Sequence, residues 1–168
     1  MANTYVKIAS VTVTAATVTN IEFTSIPATY DDLVVHALAR GTRTGFPADD
    51  LVIQFNGVTT GYSGRRLYAN GTSVSSDTQS DIRGFISDAD STSNTFGSNM
   101  FYVPNYRGST NKSVSVDMAA ETNATNAPLG IYAGLWSNTA AITSIKMFGN
   151  NGNIVQHSTF TLYGISKS

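Results

Sequence analysis

Ile26-Pro27-Ala28-Thr29-Tyr30-Asp31-Asp32-Leu33-Val34-Val35-His36-Ala37-Leu38-Ala39-Arg40 is the stretch on which the fold turns. Pro27 fixes its own φ and pushes Ile26 into extended geometry, so the segment opens on a turn that is not helical. Leu33 to Ala39 is then the longest β-prone run in the chain, with Leu33, Val35, Ala37 and Ala39 on one alternating face and Val34, His36 and Leu38 on the other. Both faces are mostly apolar, which predicts a central strand covered on both sides.

On the N-terminal side, Tyr5 to Val13 and Thr17 to Phe23 alternate as two further strands. On the C-terminal side, Arg40 to Asp50 is a loop by composition, with Gly41, Gly45, Pro47 and two aspartates. Leu51 to Phe55 returns as a strand and ends on Asn56-Gly57, a hairpin or turn signal. Thr59 to Gly71 reads equally as an irregular loop or one helical turn, and Ser73 to Ser80 and Ser87 to Asn94 as polar loops around a short edge strand at Ile82 to Ile86. Strands are expected again over Phe96 to Val103, Lys112 to Ala119 (with one wet face), Ile131 to Trp136, Ile142 to Phe148 and Thr159 to Ile165, with loops at Asn123 to Pro128 and Asn150 to Asn153.

No segment carries a sustained helical period, and no internal repeat is visible. The expectation is one all-β domain over residues 1–168, an antiparallel β-sandwich of jelly-roll-like type with eight to ten short strands. Composition agrees: 41% of residues are apolar but only 12% charged, about half the usual quarter, and Ser, Thr, Asn and Gly fill the gap. A net charge of -1 without a basic run gives no electrostatic footprint for nucleic acid or an anionic membrane, and neither partner is expected. There is no cysteine, so core packing must hold the fold. No Sec-type signal and no membrane-spanning run are read, and the Asn70, Asn111 and Asn123 glycosylation triplets are chance matches in so Asn/Ser/Thr-rich a chain.

Catalytic chemistry finds little to use. The two histidines are His36, mid-strand and expected to be satisfied by a neighbour, and His157, a loop or interface residue. No Gly-x-Ser-x-Gly elbow occurs. Asp31-Asp32 and Asp49-Asp50 are loop pairs, the first expected to cap its own turn, and they do not present two carboxyls across a cleft. Asp88 to Asn94 offers oxygens that suit calcium but lacks the EF-hand glycine and glutamate, so it reads as a solvated loop. No catalytic residue, metal site or cofactor is expected. Trp136 with Tyr132 is a sugar-stacking platform or core, and its apolar neighbours favour core. Arg40, Arg43, Arg65 and Arg66, with Tyr68, Phe46 and Tyr62 nearby, concentrate the residue types most enriched at protein interfaces; Arg40, Arg43, Arg65, Arg66 and Tyr68 are the expected contact residues.

Taken as a set, Ile26-Pro27-Ala28-Thr29-Tyr30-Asp31-Asp32-Leu33, Phe55-Asn56, Tyr62, Asn105-Tyr106, Trp136, Ala141-Ile142-Thr143-Ser144-Ile145 and the closing Ser158-Thr159-Phe160-Thr161-Leu162-Tyr163-Gly164-Ile165 resemble small virion structural proteins of tailed bacteriophages, notably those of cyanobacteria and other aquatic bacteria. The resemblance implies a β-sandwich on the outer capsid surface, a cement or decoration protein, often a homotrimer, whose partner is the major capsid protein. It brings no catalytic residues. Tail-associated adhesion proteins of similar pattern usually carry an added anchoring segment, and a first strand at Tyr5 favours cement; the alternative is a tail-tip or fibre module that recognises host carbohydrate. A low-charge face rich in Ser, Thr and Asn can be buried against neighbours without stranding charges.

Overall fold

The computed structural model describes residues 4–46, 48–123 and 127–166. The strands, in chain order, are β1 (Tyr5–Thr12), β2 (Thr17–Val18), β3 (Ile21–Phe23), β4 (Asp32–Ala39), β5 (Ala48–Phe55), β6 (Tyr62–Asn70), β7 (Ser73–Gln79), β8 (Ile82–Ser87), β9 (Gly97–Val103), β10 (Lys112–Ala119), β11 (Pro128–Trp136), β12 (Ile145–Gly149), β13 (Ile154–Val155) and β14 (Thr159–Ile165). The molecule is all-β, and its strands pair antiparallel as a β-sandwich. An eight-stranded sheet in the order β1-β14-β4-β9-β10-β11-β6-β7 faces a four-stranded sheet in the order β3-β12-β5-β8, with β13-β2 as a short ribbon.

β4 lies between β14 and β9 inside the large sheet, as its sequence predicts. Its inward set Leu33, Val35, Ala37 and Ala39 is buried, but on the other face only Asp32 and Val34 are covered, while His36 and Leu38 are exposed. The strand is therefore central in its sheet without being sandwiched on both sides. Register carries one apolar row across the large sheet, Leu162 to Val35, Phe101, Val116 and Tyr132, all nearly inaccessible. Tyr132 pairs in turn with Arg66, and Arg66 with Asp77, so this row ends in charge.

β8 crosses beneath the large sheet. The Tyr132 hydroxyl donates to the Asp81 carbonyl just before it, the Asn99 side chain of β9 bonds both the N–H (2.8 Å) and the C=O (2.7 Å) of Phe85, and Gly41 N–H donates to Ser87 O at 2.7 Å. Alternation puts Leu51, Ile53 and Ile82 on one face of the small sheet and Asp50, Arg83 and Phe85 on the other. Phe55, in phase with the first set, packs on Trp136 and Tyr62, whereas Arg66 and Tyr68 meet the second set. Gly97 makes this crossing possible: a Cβ there would lie 2.6 Å from Phe85 O and 2.7 Å from Ile86 Cα.

Several segments differ from their sequence reading. Thr17 to Phe23 divides into β2 and β3, which belong to different sheets. Thr59 to Gly71 contains the nine-residue strand β6, and Ser73 to Ser80 contains β7, an edge strand of the large sheet. Asn56-Gly57 turns the chain with φ of 53° and 68°, yet it joins β5 of one sheet to β6 of the other and so makes no hairpin. The expected loop residues Pro47 and 124–126 lie outside the described residues.

Candidate functional site

The outward face of β9, β10, β11, β6 and β7 is the surface with most to offer. Cross-strand register lays it out in rows: Ser98, Ala119, Leu129, Ala69 and Val74; then Met100, Asp117, Ile131, Leu67 and Ser76; then Tyr102, Ser115, Ala133, Arg65 and Thr78. Leu67 (50%), Val74 (75%), Leu129 (58%) and Ile131 (57%) are all well exposed. They line a shallow trough of about 700 Å³ with Met100 and Ala119. A second hollow of about 950 Å³ adjoins it along Arg65, Thr78, Tyr102, Ser115 and Ala133.

The four aliphatic side chains expose on the order of 450 Å², within the roughly 300–600 Å² of the largest patch on an ordinary monomer, a class that is often functional. Charge on these rows is confined to Arg65 and Asp117, both exposed and with no ion pair among the described residues. Tyr102 is the one aromatic on the rows, and its hydroxyl donates to Asp32 at 2.9 Å. The centre of the surface is thus aliphatic, with the hydroxyls of Ser98, Ser76, Ser115 and Thr78 around it and its one aromatic, Tyr102, half-buried, the character of a protein contact more than of a sugar platform.

The five expected contact residues separate in space. Arg65 points outward on this face. Arg66 points inward, donating from Nε and Nη2 to Asp77 (3.1 and 2.6 Å) and from Nη1 to Asp50 (2.9 Å), with its guanidinium 4.6 Å from the Tyr68 ring centre. Asp50 also receives Arg83 Nη1 at 2.7 Å, and Arg83 forks onto Asp81. The hydrogen bonds from Arg66 hold the Asp77 carboxyl below its usual range. Tyr68 is half-buried, edge-on to Phe85.

Arg40 closes a loop. Its guanidinium donates to the carbonyls of Thr92 (2.9 Å), Thr95 (3.0 Å) and Ser91 (3.0 Å), so the segment whose oxygens suit calcium is wrapped round an internal cation. Arg43 lies 4.2 Å over the exposed Phe46 ring and 3.5 Å from Asp49, next to a small hollow that Arg66 and Tyr68 also line. Arg43, Arg66 and Tyr68 are therefore neighbours, whereas Arg65 faces the other way.

Other candidates resolve into structure. His36 is exposed and edge-on to Tyr163, with ring centres 5.6 Å apart. His157 sits in a turn at φ 72°. Asp32 does not cap its own turn: it accepts Asn105 N–H at 2.8 Å and the Tyr102 hydroxyl, while Asp31 takes Arg107 Nη2 at 2.8 Å. Trp136 is fully buried, stacked on Tyr62 at 6.0 Å, and Tyr132 is buried too, so both belong to the core. Among the described residues no group of three His, Asp or Glu side chains converges to hold a metal. Asp88 is buried with Oδ2 lacking a partner, and burial raises its pKa.

Sequence reasoning missed Leu67, Val74, Leu129 and Ile131 as surface residues. The spacing Arg65-Leu67-Ala69 was available as a signal, but only once β6 is known to be a strand can the outward set be told from the inward one. No family model matches the chain, and no curated protein matches it either.

Proposed function

We propose that the chain is a non-catalytic assembly protein of a tailed-phage particle, a cement or decoration protein that binds the outer capsid surface and bridges neighbouring subunits of the major capsid protein. The observation that carries the reading is the exposed aliphatic surface on β11, β6 and β7, large enough to be the centre of a protein interface and almost free of charge that burial would strand. Bridging needs a second contact surface, and the exposed Phe46 under Arg43, beside Tyr68, supplies one built from residue types favoured at interfaces. Stabilisation is then mass action: a protein that binds only the assembled lattice shifts the equilibrium toward it. The phage setting rests on the resemblance of the sequence, and the aliphatic lining favours a protein partner over host glycan.

The test is the copy number per purified virion, measured by quantitative mass spectrometry against the major shell protein. Copies comparable to the shell protein are expected. A handful per particle would refute a lattice-wide role and place the protein at the tail or a single vertex.

A further inference from the structure

We infer that the aliphatic outer face is the seat of a second copy of this chain, packed face to face about a two-fold axis. This rests on the reading above that the face is a contact surface and names its occupant; the paired molecule then carries two Arg43–Phe46–Tyr68 surfaces, and bridging of capsid subunits falls to these.

Area is the first argument. A standard interface takes about 800 Å² from each partner and is about 56–65% apolar, which requires about 450–520 Å² of apolar surface per side. Leu67, Val74, Leu129 and Ile131 already expose on the order of 450 Å², so the patch matches one side of a standard interface.

Charge is the second. Arg65 on β6 and Asp117 on β10 flank β11, because Arg65 pairs with Ala133 and Asp117 with Ile131. Two strand spacings across and two residues along put their Cα atoms about 12 Å apart, and neither has an ion pair among the described residues. A two-fold axis lying in the interface and crossing β11 between Ile131 and Ala133 brings each Arg65 over the second copy's Asp117. The face carries one cation and one anion, and this operation satisfies both. It also lays Leu67 against the second copy's Ile131, so the apolar centre and the ion pairs share one geometry, as an isologous contact requires.

Shape is the third. The same offsets incline the axis about 35° to the strands, so the strands of the two copies cross at about 70°, near the orthogonal class of sheet packing. A twisted sheet is a saddle, hollow along one diagonal and raised along the other. At so steep a crossing two saddles of the same hand touch along one diagonal and diverge along the other, so the contact is concentrated around the axis.

The experiment is the molar mass of the purified chain by sedimentation equilibrium from 1 to 100 µM, for wild type, Arg65→Asp, Asp117→Arg, the double reversal, and Ile131→Asp. These residues are exposed, and the buried Trp136 gives a fluorescence check that each variant is folded. The wild type is expected at two chains, each single reversal at least tenfold weaker, the double reversal restored, and Ile131→Asp monomeric. A monomeric wild type at 100 µM overturns the pairing. So does a mass of three chains, or a dimer untouched by both single reversals and by Ile131→Asp. Copy number on virions is independent of these masses: a monomer present at shell-protein stoichiometry would leave the proposed function standing and remove only the second copy from the face.

Discussion

Replacing Arg66 is expected to weaken the fold, and the size of the loss follows from what the side chain touches. Its guanidinium forks onto Asp77, reaches Asp50, and lies over Tyr68 and Phe85 at 4.6 and 5.0 Å. The Arg66 side chain is 10% exposed, Asp50 15% and Asp77 32%, so the pair is shielded from water on most sides. Removing one partner of a buried pair costs about 3–5 kcal/mol because the other charge is left without compensation. Asp50 keeps Arg83 at 2.7 Å and Asp77 is partly wet, which brings the expected cost of Arg66→Ala to about 2–4 kcal/mol. In a domain of this size that is a fall in Tm of about 5–15 °C.

The assay is thermal and urea unfolding followed by the fluorescence of Trp136, the single tryptophan, buried at 0% exposure. Arg66→Met keeps the stem against Tyr68 and Phe85 and should retain part of the loss, separating packing from charge. A double-mutant cycle with Asp77→Ala should show a coupling of about 1–2 kcal/mol. The pH dependence has a definite sign. Asp77 titrates below its unfolded value because Arg66 donates to its carboxylate, so this stabilisation is present above the ordinary carboxylate range and is lost as pH falls through the depressed folded value. The gap between wild type and Arg66→Ala should therefore narrow in acid. A loss under about 1 kcal/mol at pH 7, or no coupling with Asp77, would refute the reasoning and reduce the cluster to an ordinary surface pair.

Three further outcomes can be checked with the same unfolding assay. Gly97→Ala forces a methyl group to within 2.6 Å of Phe85 O and 2.7 Å of Ile86 Cα, backbone atoms that move only if β8 and β9 separate, so a loss of about 1–3 kcal/mol or more is expected; an unchanged Tm would show that the sheets part freely. Asn99→Leu strips both partners from the buried backbone of Phe85 and should cost about 2–5 kcal/mol, and a neutral result would mean that water or rearrangement replaces them. Asp88→Asn should raise Tm at pH 7, because burial lifts the folded pKa of this carboxyl and its charged form opposes folding. That gain should fade as pH falls below the ordinary carboxylate value, where Asp88 is protonated folded and unfolded alike; a gain that instead grew in acid would contradict the raised pKa.

The strands that sequence reading places well are those with an ordinary contrast between the faces. In β10, Val114, Val116 and Met118 point in while Ser113, Ser115 and Asp117 point out, and in β14 alternation is equally plain; in β1 a register shift between Lys7 and Ala9 changes the phase, so that Val6 and Ile8 and then Ala9 and Val11 are the more covered residues. β4 reads as a strand for the right reason, but an apolar outward set does not by itself mean cover: Leu38 is 45% exposed. β6 and β7 escaped because their contrast is inverted. In β6 the inward set is Tyr62, Gly64, Arg66 and Tyr68, and the outward set includes Leu67 and Ala69; in β7 Asp77 points in and Val74 out. Gly64 is needed there because a Cβ would meet the Tyr132 ring at 2.1 Å, and Arg66 is tolerated inside because Asp50 and Asp77 meet it. A pattern with an arginine inside and a leucine outside matches neither strand nor helix when read along the chain, since the carboxylates that make it sensible come from β5 and β7. The same inversion makes the surface: with charge spent inside the molecule, β6, β7 and β11 are left to present aliphatic side chains to whatever covers them. The stretch least legible as a strand and the face most suited to a partner thus have one physical cause. A homologous chain that kept Arg66 and Asp77 but carried lysine or glutamate at the positions of Leu67 and Ile131 would retain this sandwich and lose the contact.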